Sequence, residues 1–298
     1  MPDSDAGDAA HRTRSPSRSV TQAWRAEAQG ADARLFVNSL AKGIELLSAL
    51  AKVQRPVSIP EAAALAGMDR STAQRMLYTL RVLGCLRQED ESRRYVLGAR
   101  VLDLAHGFLQ ADALRRIALP FLDDLARRSE ETVNLTKLDG ADVVYVARFP
   151  SRHVVSVDLA LGTRLPAWCT GPGRAILSRL GRDRRESLVP SGSLPRITPY
   201  TARSRKDVLA RIAQAGRDGF AISDQEMFVG DISIATPILD RAGEPLGAVN
   251  IAVPFPRWTP ARVVRDLGPL VMETTRLISM QFGAVGAAPR SGTDRQPA

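Results

Sequence analysis

At 298 residues, with 44% hydrophobic and 24% charged side chains, the chain has a globular composition and room for about two domains of roughly 100–200 residues. No apolar run approaches the roughly 18 residues of a membrane span, and the N-terminal arginines precede no apolar core, so a membrane or secreted protein is not expected. Asp3, Asp5 and Asp8 oppose an organelle transit peptide, which leaves the cytoplasm as the expected location, and the net charge of +9 favours a polyanionic partner.

In chain order, residues 1–34 are rich in Ser, Asp, Ala and Arg and read as a solvated tail. In VNSLAKGIELLSALAK, the residues Leu40, Ile44, Leu47 and Leu50 follow helical spacing, and Pro56 ends the helix. Ser58 with Glu61 three residues on, and Pro60 between them, form a capping box that opens the short helix EAAALAG, stopped at Gly67. Asp69 then caps MDRSTAQRMLYTLRVLG, with an expected apolar face of Ala73, Met76, Leu77, Leu80 and Leu83. Three helices with a tight turn between the second and third make a helix-turn-helix. CLRQED and RRYVLG follow as two short strands around the polar turn 89–92, which is the wing of a winged helix. RVLDLAHGFLQ carries a stripe of Val101, Leu104, Ala105 and Phe108 and reads as a linker helix whose apolar face suits a second subunit.

The remainder mixes helices with strands. IALPFLDDLARRS reads as a helix, and TVNLTKLDGADVVYVARF as a hairpin turning at Asp139–Gly140. VVSVDL reads as a further strand, WCTGPGRAILSRL as a glycine loop feeding a helix, and SRKDVLARIAQAG as a helix ending at Gly216. ISIATPILD and PLGAVNIAV pair across residues 241–244, a closing helix starts at Thr259, and the chain from 283 reads as another tail. Adjacent hairpins with flanking helices imply an antiparallel sheet, so the class is α+β. The expected organisation is a tail over 1–34, a winged helix-turn-helix over 35–98, a linker helix over 99–113, an effector domain over 114–282 and a tail over 283–298.

The helix-turn-helix locates the first candidate chemistry. Its third helix enters the major groove with its N-terminal residues toward base edges, which nominates Arg70, Ser71, Thr72, Gln74 and Arg75. Arginine addresses guanine with two parallel donors, and glutamine has the amide for adenine. Arg81, Arg93 and Arg94 are nominated for phosphate, where they position the protein without reading sequence. Tyr78 is expected to pack rather than read bases.

The chain resembles the IclR family of transcriptional regulators through VNSLAKGIELLSAL, STAQRMLYTLRVLGCLR, YVLGARVLDLA, ETVNLTKLDGADVVYVAR, RLPAWCTGPGRAIL and DGFAISDQEMFVGDISIATPI, which run from about Val37 to Phe282. The resemblance implies an N-terminal winged helix that binds double-stranded operator DNA. It also implies a C-terminal effector domain with a curved antiparallel sheet, assembly as a homodimer or homotetramer, and control by a small carboxylate. Repression, activation or both are open.

Backbone N–H groups at the start of a helix hold anions well, and the segment Cys169–Gly173 has that form. By resemblance, the backbone at Gly171 and Pro172 faces the ligand carboxylate. Proline has no N–H to offer, so either Gly171 and Gly173 hold the anion or the effector binds differently. The resemblance places the far wall on Ser223, Asp231, Ser233, Asn250 and Ala252. Asp231 stands where the family commonly has an apolar residue; it either selects a ligand with a hydroxyl or amine, or faces solvent. Trp168 is read either as a flat wall for an aromatic ring or as core.

Two other readings stand beside this one. Cys169 before a helix could serve a cysteine-dependent hydrolase, but neither His106 nor His153 is tied to it by a motif. A DNA-binding protein without an effector is the other alternative. Cys85 and Cys169 form no CxxC pair, and His11, His106 and His153 are scattered, so no disulfide framework, metal site or cofactor is expected.

Overall fold

In the computed structural model, which describes residues 35–153, 157 and 159–285, the chain divides between Arg116 and Ile117 into two units. The first contains α1 (Asn38–Val53), α2 (Ile59–Ala66), α3 (Arg70–Val82), β1 (Leu86–Gln88), β2 (Tyr95–Leu97) and α4 (Val101–Ala111). Local chemistry sets each boundary. The Ser58 hydroxyl accepts from the Glu61 N–H at 3.4 Å while the Glu61 carboxylate accepts from the Ser58 N–H at 2.8 Å, so the capping box is complete. Gly67 ends α2 at φ +64°, and the Asp69 carboxylate opens α3 by accepting from the Thr72 N–H at 2.8 Å. β1 and β2 pair antiparallel, and Val57 adds a bridge to Tyr95. Leu46, Leu50, Val57, Ala62, Ala66, Leu77, Leu80, Leu86 and Tyr95 form the core.

Two expectations about this unit change. The inward side of α1 is Gly43, Leu46 and Leu50, whereas Leu40 and Ile44 are exposed. Both sets obey helical spacing, and only the position of the facing helices decides between them. Leu83 is exposed because it is the C-cap of α3, where the chain turns away toward β1. The apolar stripe of α4 is exposed as expected: no residue of this helix is buried, and Leu102, Leu104 and Phe108 lie open.

Helix α5 (Ala113–Ser129) spans the division between the units. The second unit continues with β3 (Thr132–Asp139), β4 (Asp142–Phe149), β5 (Arg164–Pro166), a single 3-10 turn (Ala167–Cys169), α6 (Gly171–Leu177), α7 (Arg182–Leu188) and α8 (Arg205–Asp218). It ends with β6 (Ala221–Asp224), β7 (Asp231–Leu239), β8 (Pro245–Pro254), α9 (Pro260–Arg262), a π-turn (Val263–Leu267) and α10 (Gly268–Val285). The sheet is antiparallel throughout, in the order β5-β4-β3-β8-β7-β6, with irregularities at Leu135/Thr136 and Ile238/Leu239 that add curvature. α10 covers one face: the Thr236 hydroxyl donates to the Val271 carbonyl at 3.1 Å, and Gly268 sits against Ile234. On the other face Ala221, Ala235, Ala248, Val143 and Tyr145 pack with residues of α6 and α8.

Here too the sequence expectations shift. The β3–β4 loop is Gly140–Ala141, with Asp139 opposite Asp142 and Gly140 at φ +61° in its first position. α8 continues past Gly216 and ends at Gly219, whose φ of +79° makes the left-handed stop. β5, β6 and α7 were not expected. The expected strand VVSVDL lies largely outside the described residues, as does the tail over 1–34. The second tail was placed from 283, yet α10 runs to Val285. No described helix is long and apolar enough to cross a membrane.

Candidate DNA interface and candidate ligand site

α3 buries Ala73, Leu77 and Leu80 and turns Arg70, Ser71, Gln74, Arg75, Tyr78 and Arg81 outward. Gln74 therefore shares the outward side with Arg75. Tyr78, expected to pack, is 60% exposed, and Arg81 lies over its ring at 5.4 Å. Ser71 and Thr72 donate their hydroxyl protons to Asp69 at 2.7 and 2.6 Å, which leaves their oxygens as acceptors. These bonds, led by the Thr72 hydroxyl, hold the Asp69 carboxyl far below the usual carboxylate range.

The wing differs from expectation in one arginine. Arg93 is exposed at the tip, in a left-handed turn with φ +55°. Arg94 instead donates to Glu61 at 3.0 Å and to the Pro56 carbonyl at 3.4 Å, tying the wing to the start of α2. A phosphate at Arg94 would have to compete with that carboxylate. Arg87, on β1, is exposed and joins Arg81 and Arg93 around a cleft of about 270 Å³.

In the second unit, the segment read as a glycine loop is already helix. Thr170 is its N-cap, and Gly171, Pro172 and Gly173 form the first turn of α6. The Thr170 hydroxyl accepts from the Gly173 N–H at 3.2 Å. That N–H is engaged, and Pro172 has none, so Gly171 carries the remaining N–H of the turn. Both glycines also answer to packing. A Cβ on Gly173 would sit 2.1 Å from the Ala167 carbonyl oxygen, and one on Gly171 would sit 3.2 Å from the Ser233 hydroxyl. Trp168 is buried in the core beside this turn.

The sheet beneath α6 carries a polar strip. Pairing sets Arg148 opposite Asn134, Asn134 opposite Asn250, Asn250 opposite Ala235, Ser233 opposite Ala252 and Ser223 opposite Ser233. Alternation puts Asp231 and Ser233 on the same face as Ala235. Five strands thus contribute one or more polar residues to one side of an otherwise apolar sheet. Arg148 donates to the Asn134 carbonyl oxygen at 3.1 Å, the Asn250 amide donates to Ser233 at 3.0 Å, and Ser223 donates to the Cys169 carbonyl at 3.4 Å. The other end of the buried Asn250 amide has no hydrogen-bond partner among the described residues. Asp231 is half-buried, and desolvation pushes its carboxyl up to about 7, partly opposed by the charge of Arg148. Burial likewise raises the Tyr145 phenol, with the charge of Asp231 adding to the effect.

The five wall residues nominated from the sequence are therefore brought together. Arg148, Asn134 and Tyr145 were missed, although they lie in the phrase ETVNLTKLDGADVVYVAR, because the alternating pattern of β3 and β4 does not show which face is covered. A second omission is structural. Arg174 and Glu226 form a buried pair, with contacts of 2.6 and 3.1 Å, and Arg174 also donates to the Ile222 carbonyl at 2.6 Å. This pair clamps α6 to the segment after β6.

Cys169 is unsuited to nucleophilic catalysis. Its thiol is buried, its neighbours are the Pro166 carbonyl at 3.6 Å and the Met227 sulfur at 3.8 Å, and burial pushes it up to about 12. A reactive thiol needs the opposite environment.

Comparison with known proteins places both units. Residues 39–90 match the family model described as "IclR helix-turn-helix domain", and residues 106–280 match "Bacterial transcriptional regulator IclR C-terminal". The chain is 31% identical over 248 residues to the Pca regulon regulatory protein of Pseudomonas putida, covering 83% of this chain and 84% of that one. It is 30% identical over 251 residues to the transcriptional repressor IclR of Escherichia coli K12, covering 84% and 91%. A solved transcriptional regulator from Rhodococcus sp. RHA1 superposes with a TM-score of 0.74 at 32% identity, covering 84% of this chain and 100% of that one.

Proposed function

This chain belongs to the IclR family of transcriptional regulators, and on that premise we propose that it is a homodimeric operator-binding protein whose DNA affinity is set by a small carboxylic acid. As a family member it is a DNA-binding regulator and not an enzyme. One observation carries the effector half of the reading. A largely buried polar strip runs beneath α6 with one end of the Asn250 amide unpaired among the described residues, and an unpaired buried polar group costs about 1–3 kcal/mol. A bound ligand atom would recover that cost.

In this reading residues 35–98 bind DNA, 99–113 link and dimerise, and 114–282 hold the effector. Arg70, Gln74 and Arg75 reach base edges; Arg81 and Arg93 reach phosphates. The effector contacts Gly171, Ser223, Ser233, Asn250 and Ala252, with Arg148 rather than Gly173 supplying the positive partner for the carboxylate. Exposed Leu104 and Phe108 on α4 support self-association, because contiguous exposed apolar residues favour burial against a partner.

The test is an anisotropy titration at fixed salt against the DNA upstream of the protein's own gene and of its neighbour's, with and without aromatic and aliphatic carboxylates. Saturable, sequence-selective binding that one acid changes is expected. Selective binding indifferent to every acid would retain the DNA-binding half and remove the effector. Weak binding blind to sequence would remove both.

A further inference from the structure

The net charge of +9 is spread unevenly along the chain. Residues 35–116, which carry the helix-turn-helix, hold twelve basic and eight acidic side chains, a net of +4. In the second unit, residues 179–218 alone hold ten basic and four acidic side chains, a net of +6. The rest of that unit, 117–178 and 219–285, holds twelve and fourteen, a net of −2. The positive charge of the second unit is therefore concentrated in one segment, which runs from the end of α6 through α7 and a connection to the end of α8.

This segment forms one layer. Leu180, Val189, Ala202, Val208 and Ile212 are buried in a single core cluster, and Leu188, Leu194 and Ile197 pack against it. Arg205 ties the start of α8 to the end of α7, donating to the Glu186 carbonyl at 2.8 Å and to the Val189 carbonyl. With its apolar residues pinned to the core along its whole length, the segment turns its charged side chains outward. Arg182 pairs with Glu186 at 2.9 Å, and Arg211 with Glu226 at 2.5 Å. Arg179, Arg184, Arg196, Arg203 and Lys206 are exposed and have no ion pair among the described residues.

Like charges gathered on one layer repel each other and oppose the compact state, a cost that a polyanion from outside would offset. The five unpaired cations are strung along α7, the connection and the first turn of α8, an arrangement that suits a row of negative charges better than one small anion. Double-stranded DNA carries such a row, with one charge per about 1.7 Å of its axis. The chain also delivers it: once the helix-turn-helix holds an operator, the adjoining duplex is tethered to the second unit at high effective concentration.

We propose that the outer layer formed by residues 179–218 is a second, sequence-blind DNA-contact surface that grips the phosphate backbone of the duplex flanking the operator. This rests on the DNA-binding reading above and extends the contact from the winged helix to the second unit.

The experiment is an anisotropy salt series with the full-length protein on two fragments, the operator alone and the operator between long flanks of arbitrary sequence. Wild type is compared with a variant in which Arg179, Arg184, Arg196, Arg203 and Lys206 are all replaced by Gln. A control variant replaces Arg127, Arg128, Arg241, Arg265 and Arg276, which are exposed elsewhere on the same unit, and so matches the change in net charge. Thermal melting checks that both variants fold. Wild type is expected to bind the flanked fragment about tenfold or more tighter than the bare operator at low salt, with a salt slope steeper by about two or more, since each phosphate contact contributes about 0.9. The layer variant is expected to lose that gain and keep its affinity for the bare operator, while the control variant keeps both. Scrambling the flanks should change nothing.

Four results overturn the proposal alone: no gain from flanks in wild type, a gain that survives in the layer variant, an equal loss in the control variant, or an equal loss on the bare operator. If wild type does not bind the bare operator selectively, the operator reading itself fails, and that fragment reports it separately.

Discussion

Arg75 and Arg81 occupy the same helix but meet different neighbours. Arg75 is exposed near the N-terminal end of α3, beside Gln74, where a recognition helix presents its side chains to base edges. Arg81 lies two turns later with its guanidinium over Tyr78, a position suited to the backbone flanking the groove. Arg75→Ala is expected to weaken operator binding by about 1–3 kcal/mol and to relax discrimination at one base position. Arg81→Ala is expected to weaken all sequences alike and to reduce the salt slope by about one. A salt series by anisotropy separates the two, and an unchanged affinity for Arg75→Ala would remove that residue from the interface. Glu61 makes a second prediction. The Ser58 N–H first, then the Ser58 hydroxyl and Arg55, hold its carboxyl down at about 2. A depressed folded-state value means that its stabilisation is complete above the unfolded value near 4.5 and is lost as pH falls toward 2. The gap in melting temperature between wild type and Glu61→Gln should thus be constant from neutral pH to about 5 and shrink below that. A gap that ignores pH would place the stabilisation elsewhere.

At the scale of the element, α6 shows how packing and binding compete for one turn. Its glycines look, in sequence, like an anion loop; in the fold, Gly173 is where the helix meets the Ala167 backbone, with no room for a Cβ. The Ala167 carbonyl belongs to the 3-10 turn and cannot rotate away as a side chain could. Gly173→Ala is therefore expected to destabilise the unliganded protein by about 1–3 kcal/mol or more, read from its urea midpoint. An unchanged midpoint would return Gly173 to a purely ligand-binding role. The same contrast explains what the sequence made legible. Caps and stops are written locally, so Ser58, Glu61, Gly67 and Asp69 located their helices, and the two long hairpins followed from alternation and turn residues. Choices made by distant neighbours were not legible. Leu40 and Leu46 both satisfy a helical period, and Gly216 and Gly219 both look like stops, until the facing element is known. Family resemblance placed the wall on β6, β7 and β8, by position within the family's C-terminal domain. It missed Arg148 and Asn134, whose place beside the wall depends on β3 lying between β4 and β8. The Arg174–Glu226 clamp joins residues 52 apart in sequence, and no local pattern signals it.

For the whole molecule, the magnitudes argue for two copies. One recognition helix with two or three base contacts, at about 1–3 kcal/mol each, discriminates by about 2–9 kcal/mol. A regulator must reject on the order of 10⁶–10⁹ competing sites, and specific binding typically exceeds non-specific binding by about 4–10 kcal/mol. Two helices on two half-sites reach that range comfortably; one reaches its upper part only when every contact is near its best. α4 offers the means, since Leu104 is 71% and Phe108 is 56% exposed, and they stand one turn apart on the same side of the helix. Introducing charge at both positions, with Leu104→Glu and Phe108→Glu, is expected to shift the protein toward monomer by analytical ultracentrifugation, because a buried unpaired carboxylate opposes association. Neither residue is buried in the single chain, so thermal stability of the monomer should change little. Binding to an isolated half-site should also survive, whereas affinity for the full operator should fall steeply, since each half-site is then engaged independently. A variant that still sediments as a dimer would move the self-association surface away from α4. Loss of half-site binding alongside dimerisation would mean that α4 also supports the DNA-binding unit itself.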